Sequence, residues 1–213
     1  MDWFQQHLLT LIIFLPTAGA GVILFMREAR RDLIRRVALV TSLAAFVLSY
    51  FCFKGFETGD AFQYVERVPW IPNFGISYHV GIDGISLLLV MLTTFITPIT
   101  ILSAFDTVRR RVKGFMVALL VMETAMLGVF GALDLFLFYI FWEAMLIPMY
   151  FIIGIWGGEN RVYASIKFVL FTMLGSLLML VAIIALWSQG NAQLMNPTAN
   201  YLELVSLRLS PAA

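Results

Sequence analysis

Charge is scarce in this sequence. Only 13% of its 213 residues are Asp, Glu, Lys or Arg, 61% are apolar, and mean hydropathy is +0.91. A water-soluble domain carries about 25% charged residues, so this chain lacks the polar material to coat a globule in water, and an ordinary soluble enzyme is excluded. Fourteen basic residues nearly cancel thirteen acidic ones, which leaves no basic field for nucleic acid and no acidic tail. Cysteine occurs once, as Cys52 inside an apolar run. That excludes a disulfide framework and a cysteine-ligated metal cluster, and no cofactor motif is visible.

What the sequence has in abundance is long uncharged runs, each near the roughly 20 residues needed to cross about 30 Å of hydrocarbon. Six are expected to span as helices: 8–26, 37–53, 85–105, 115–133, 135–156 and 164–187. Helix is the physical choice, because lipid offers no partners to backbone N–H and C=O groups and the runs are twice the length of a barrel strand. The fold class expected is an all-α membrane protein. A cleaved signal peptide accounts poorly for the first run, whose flank holds Asp2 and no Lys or Arg and whose apolar stretch is too long for a signal core.

Lys and Arg are unevenly shared among the connections, and in short loops this asymmetry sets orientation. The first, third and fifth connections hold Arg27, Arg30, Arg31, Arg35, Arg36, Arg109, Arg110, Arg111, Lys113 and Arg161. The opposite side holds only Lys54, Arg67 and Arg208. Both termini are therefore expected outside, with the odd-numbered loops facing the cytoplasm in a bacterial cell. The fourth connection is a tight turn with Asp134 available as an N-cap, which makes helices four and five an antiparallel pair. The second, 54–84, is the one sizeable extramembrane piece, and its strand-forming residues from Tyr64 to Val80, broken by Pro69 and Pro72, predict a short outer hairpin. A polar tail, 188–213, is expected to carry no further span.

Charges inside the apolar runs carry the functional signal, since one at a helix centre costs about 2.5–3.5 kcal/mol on insertion scales. Glu143 lies eight residues into the fifth run, too deep for its short side chain to reach either surface. Pro148, five residues later, removes a backbone donor and frees the carbonyl of Ala144. A buried carboxyl, a freed carbonyl and a bend are what a proton-binding station beside a hydrated cavity requires; the competing reading is a protonated glutamate bonded to a neighbouring helix. Glu123 sits near the middle of the fourth run at a similar depth, and two facing carboxyls can hold one proton between them. Lys167 lies three or four residues into the sixth run, either snorkelling to the cytoplasmic interface or turned inward as a proton carrier. Thr93, Thr97 and Thr100 form a stripe around Pro98 that either lines a hydrated path or bonds across helices, with packing the favoured reading. Asp83 is expected to cap the third helix, His79 to be a solvated loop histidine, and Gly128, Gly131, Gly154, Gly157 and Gly158 to be close-approach or turn positions.

The stretch from Gly128 to Tyr150, with Trp142-Glu143-Ala144-Met145-Leu146-Ile147-Pro148 at its centre, resembles the antiporter-like membrane subunits of respiratory complex I. So do Gly154-Ile155-Trp156-Gly157-Gly158, the run from Arg161 to Phe168, Thr172 to Ser176, and Val80 to Ser86. The resemblance covers nearly the whole chain, from Leu8 to about Trp187, and fits best the subunit called M in bacteria and 4 in mitochondria. It implies the N-terminal part of an antiporter-like proton-channel fold, without a redox centre of its own, in an inner membrane. NADH, FMN, iron–sulfur clusters and quinone are then bound by other subunits, and the partners are other membrane subunits of the complex, antiporter-like neighbours among them, together with the lipid bilayer. The family's key acid falls on Glu143 and its helix-six lysine on Lys167; Glu123 matches no family-wide motif and rests on the charge argument alone. Members have about fourteen helices in two inverted repeats, and a lysine on the first broken helix pairs with the key glutamate. This sequence stops before that helix, so the expectation is a truncated subunit, or one completed by another polypeptide, that does not pump or catalyse by itself. Three functions follow: a proton-translocating part of NADH:quinone oxidoreductase, a subunit of a multi-subunit cation/proton antiporter or membrane-bound hydrogenase, or a structural membrane piece without transport.

Overall fold

A computed structural model describes residues 6–57, 59, 61–194 and 197–207. Asp2 and Arg208, on which the signal-peptide and charge arguments draw, lie outside the described residues. Six long helices are present: α1 (Leu8–Phe25), α2 (Arg31–Lys54), α3 (Gly84–Thr107), α4 (Val112–Gly131), α5 (Leu135–Trp156) and α6 (Arg161–Leu194), followed by a single turn, α7 (Tyr201–Leu204). All six are long and apolar enough to cross a membrane, so the all-α membrane class read from composition is the observed one. Two helices outrun their apolar stretches. α2 begins at Arg31, because its arginines and leucine are good helix formers whether or not lipid surrounds them. α6 continues past Trp187 to Leu194, because polarity ends an apolar run without breaking a helix, and Pro197 is the first residue in its path that would.

α4 is the centre of the bundle. It packs against α1, α2, α3 and α5, and 56% of its spanning window is buried, against 17% for α5 and 11% for α6. Its small residues allow the close approach: a Cβ on Gly128 would run into the ring of Phe141 on α5. Two apolar clusters fill the interior. One, around Leu9, Ile12, Val80, Ile82, Leu127 and Phe141, continues into the hairpin. The other, around Ile23, Ile34, Ile101, Met116 and Leu120, lies toward the opposite end.

The connections sort onto two ends, as the charge asymmetry requires. At the basic end Arg31 donates to the carbonyl of Arg109 (3.2 Å) and Arg35 to that of Val108 (3.0 Å). Lys113 Nζ donates to the carbonyls of Leu24 and Met26 (2.8 and 2.9 Å), closing the C-terminus of α1, where the macrodipole favours a cation. At the other end is the expected hairpin, β1 (Gln63–Ile71) paired antiparallel with β2 (Ile76–Ile82) through a 3-10 turn at Pro72–Phe74. Gly75, at φ +66°, ends that turn, and a side chain there would also meet the carbonyl of Pro197. The segment after α6 does not hang free: Ala199 N–H donates to Gly75 O (3.2 Å), and Tyr201 N–H to Leu133 O (2.8 Å). Glu66 of β1 receives the N–H of Thr10 (3.2 Å) in the first turn of α1 and lies 2.8 Å from His7.

Candidate proton site

Asp134 sets the geometry of the site, because it fixes where α5 starts. Its Oδ1 accepts from the N–H groups of Phe136 and Leu137 (3.0 and 3.1 Å), the N-cap that the sequence predicts, while Oδ2 accepts from Ser77 N–H (2.9 Å) on the hairpin. The carboxyl is fully buried. Burial pushes its pKa up, and the bonds from Ser77, Leu137 and Phe136 pull the other way. Asp83 caps α3 in the same manner through Ser86 N–H (2.7 Å), which lowers its pKa.

From that fixed start, eight residues of helix carry Glu143 about 12 Å along the axis. The carboxyl is half-buried, and its Oε1 is enclosed without a hydrogen-bond partner. Tyr139, one turn earlier on α5, stands beside it, and Ser176 of α6 stands beside the tyrosine. The hydroxyl of Ser176 donates to Met173 O (3.1 Å). A groove of about 450 Å³ opens here between α4, α5 and α6, lined by Met122, Met126, Trp142, Met145, Phe171 and Ser176 among others. α5 runs unbroken through Pro148, which is buried.

Glu123 is fully buried on α4, and neither of its carboxyl oxygens has a hydrogen-bond partner. Its neighbouring hydroxyl is Thr97 on α3, which itself donates to Thr93 O (2.9 Å). The stripe Thr93, Thr97 and Thr100 lines a second groove, about 280 Å³, between α3 and α4. Each of the three donates back to its own helix. The bonds between helices come instead from Thr94, 2.8 Å from Ser49 on α2, and from Thr124, which receives both the N–H and the hydroxyl of Thr17 on α1. Glu123 and Glu143 are each eight residues from the turn, yet one neighbours α3 and the other α6. No hydrogen bond joins them among the described residues. Met122 and Met126 line both grooves and form the wall between them.

Lys167 stands apart from both. It is the seventh residue of α6 and exposed, with its Nζ 5.7 Å from the ring centroid of Tyr163 on a face shared with Ile166, Leu170 and Leu174. Ser176 is nine residues on, two and a half turns, and so points to the opposite side of α6. Among the described residues no group of three or more His, Cys, Asp or Glu is placed to hold a metal ion.

The histidine of the hairpin differs from expectation. His79 is 3% exposed rather than solvated, because the turn before α5 and the segment from Thr198 to Glu203 fold over β2. Burial and the charge of Arg67 lower its pKa, while Glu203 and Asn200 act in the other direction. Tyr139 was the group that sequence reasoning missed at the site; its spacing of four from Glu143 on one helix was the available signal. Ser176 was seen only as a motif residue, since its approach to Tyr139 depends on how α5 meets α6.

Six spans, a hairpin tied to one end, and a carboxyl inside the fifth span define a multi-pass membrane chain with one acid held within its helices. The family model described as "NADH:quinone oxidoreductase/Mrp antiporter, TM" matches residues 132–208. The chain is similar to NADH-quinone oxidoreductase subunit M of Rhodobacter capsulatus, 49% identical over 188 residues, covering 86% of this chain and 36% of that protein. It is also similar to NADH-ubiquinone oxidoreductase chain 4 of Marchantia polymorpha, 44% identical over 180 residues, covering 84% and 36%. In three dimensions it matches a chain of respiratory complex I from Thermus thermophilus with a TM-score of 0.79 and 28% identity, over 95% of this chain and 40% of that one. A chain of the Mrp complex from Dietzia shares the fold, with a TM-score of 0.75 at 17% identity, over 93% and 21%. The resemblance read from the Trp142-to-Pro148 motif is thus borne out. The chain spans about 36% to 40% of the length of these curated relatives and of the complex I chain.

Proposed function

We propose that this chain is a proton-translocating part of an NADH:quinone oxidoreductase, and that Glu143 is the group that takes up and releases the proton. The observation that carries this reading is a half-buried carboxyl with an unpartnered oxygen in the middle of a spanning helix, beside the hydroxyl of Tyr139, which in turn neighbours Ser176 on the next helix. A fold retains a group that costs this much to insert when the group has work to do.

On this reading the proton reaches and leaves Glu143 by way of Tyr139 and then Ser176, hydroxyl neighbours able both to donate and to accept. Glu123 is a second station, behind the wall of Met122 and Met126, reached from the threonine-lined groove. Lys167 serves from the open face of α6, where its charge meets whatever packs there. Electron transfer from NADH to quinone takes place on cofactors held by other subunits and biases the protonation of Glu143 through a chain of interacting charges, a coupling free energy between sites. The chain sits in a bacterial or mitochondrial inner membrane with its N-terminus outside and the arginine-rich end in the cytoplasm or matrix.

Replacing Glu143 by Gln in the assembled complex keeps the shape and removes the titratable proton. Proton pumping is expected to fall by about a hundredfold, the scale of a lost acid–base group, with assembly intact. Undiminished pumping would leave a structural role in front. The second reading, a cation/proton antiporter subunit, is favoured by the shared fold of the Mrp chain. Copurification with flavin and iron–sulfur subunits separates the two, because a Na+-dependent proton flux without those subunits belongs to the antiporter.

A further inference from the structure

At the basic end, a recess of about 550 Å³ is bounded by the connection from Thr107 to Arg111, the end of α5 at Gly154 to Trp156, and Arg161 at the start of α6. Four of its nine lining residues are arginines: Arg109, Arg110, Arg111 and Arg161. None is a carboxylate. The contrast with the adjoining recess is informative. There Arg31, Arg35 and Arg109 are accompanied by Asp32 and Asp106, and Arg35 lies 3.4 Å from Asp32. One recess sets two carboxylates against three arginines, and the lining of the other sets none against four. Guanidinium groups gathered without a counter-charge repel one another, and an anion relieves that repulsion.

The recess is a built feature. The indole N–H of Trp156 donates to Arg110 O (2.8 Å), and the ring stands edge-on to Phe115 with centroids 5.1 Å apart, so α5 holds the arginine connection in place. Arg111, at φ +51°, adopts the left-handed backbone that side chains rarely take. Neither α4 nor α6, which both begin here, has an acidic residue in its first turn to answer its N-terminal partial charge.

The surroundings identify the anion. Trp156 marks the level where a bilayer meets water, and below Ile155 the same face of α5 carries Phe151 and Ile147, 48% and 63% exposed, at four-residue spacing. A ligand that fits both parts has a phosphate above and a hydrocarbon chain below. We propose that the recess binds the headgroup phosphate of an anionic phospholipid, with Arg109, Arg110, Arg111 and Arg161 as the phosphate ligands and the Ile155–Phe151–Ile147 stripe as the bed for one acyl chain.

The test uses the full chain in its native membrane assembly, reconstituted into phosphatidylcholine vesicles doped with a photoactivatable phosphatidylglycerol. Crosslinked peptides are expected to map to residues 107–111 and 154–161. Labelling should fall about fivefold for each arginine replaced in Arg110→Gln and Arg161→Gln, the effect of about 1 kcal/mol per basic residue at a membrane surface. Arg36→Gln, which removes an exposed charge at the same end from outside the recess, should leave labelling unchanged. Equal labelling by a phosphatidylcholine probe would overturn the proposal, as would full labelling of the double variant. Displacement by inorganic phosphate would show a free-anion site instead, and exclusion of the lipid by a neighbouring subunit's carboxylates would show a protein contact; either also overturns it.

Discussion

Asp134 holds together pieces of chain far apart in sequence: two N–H groups of α5 and Ser77 on the hairpin, 57 residues away. Hydrogen bonds to a buried carboxylate are worth about 1.5–3 kcal/mol each, so Asp134→Ala is expected to lower stability by about 3 kcal/mol, and Asp134→Asn, which keeps one acceptor, by less. Thermal unfolding of the purified protein in detergent measures both. His79 gives a pH dependence with a definite sign. Its folded pKa lies below its unfolded one, so between the two values the unfolded chain binds more protons and stability rises with pH. The contribution is therefore complete above the ordinary histidine value and lost as pH falls through the folded one. His79→Asn should flatten that limb of a plot of melting temperature against pH, whereas an unaltered limb would assign the dependence to other groups, such as Glu203, whose pKa is lowered by Thr198 and Asn200.

Among the elements, α4 and α5 form the pair on which the site is built. Gly128 is where they touch, and because a Cβ there meets the ring of Phe141, Gly128→Ala should cost about 1–3 kcal/mol by overpacking. A Gly128→Ala, Phe141→Leu double variant that recovers stability would tie the cost to that contact. The helices were legible in the sequence because lipid demands long uncharged runs and nothing else in the chain competes with that signal. The caps Asp83 and Asp134 and the hairpin were legible because turn chemistry is local. The neighbours of Glu123 were not, since depth along a helix follows from counting residues but rotation about its axis depends on packing. Counting puts Glu123 and Glu143 at one depth, whereas packing sends one toward Thr97 and the other toward Tyr139 and Ser176. His79 was misread for a related reason: a loop histidine is solvated unless a distant segment covers it, and here that segment starts more than a hundred residues later.

For the whole molecule, the charge pattern and the fold agree on two ends. One is knitted by arginines and Lys113 to backbone carbonyls, the other by the hairpin, the turn at Asp134 and the segment after α6. Orientation then becomes a measurable property. A protease site placed between Arg109 and Arg111 should be protected in intact cells or mitoplasts and cut only after permeabilisation, and cutting from outside would invert the topology. Between the two ends, α5 and α6 present open apolar faces, and Ser176, the neighbour of Tyr139, lines the groove they form with α4.

The claim on which the account rests is that Glu143 changes its protonation during turnover. Infrared difference spectroscopy of the assembled complex, with and without NADH-driven quinone reduction, reads the carboxyl C=O stretch directly. The account predicts a difference band in that region that shifts in deuterium oxide and disappears in Glu143→Gln. A spectrum in which the band is missing from the unsubstituted protein, or persists unchanged in the variant, would contradict it.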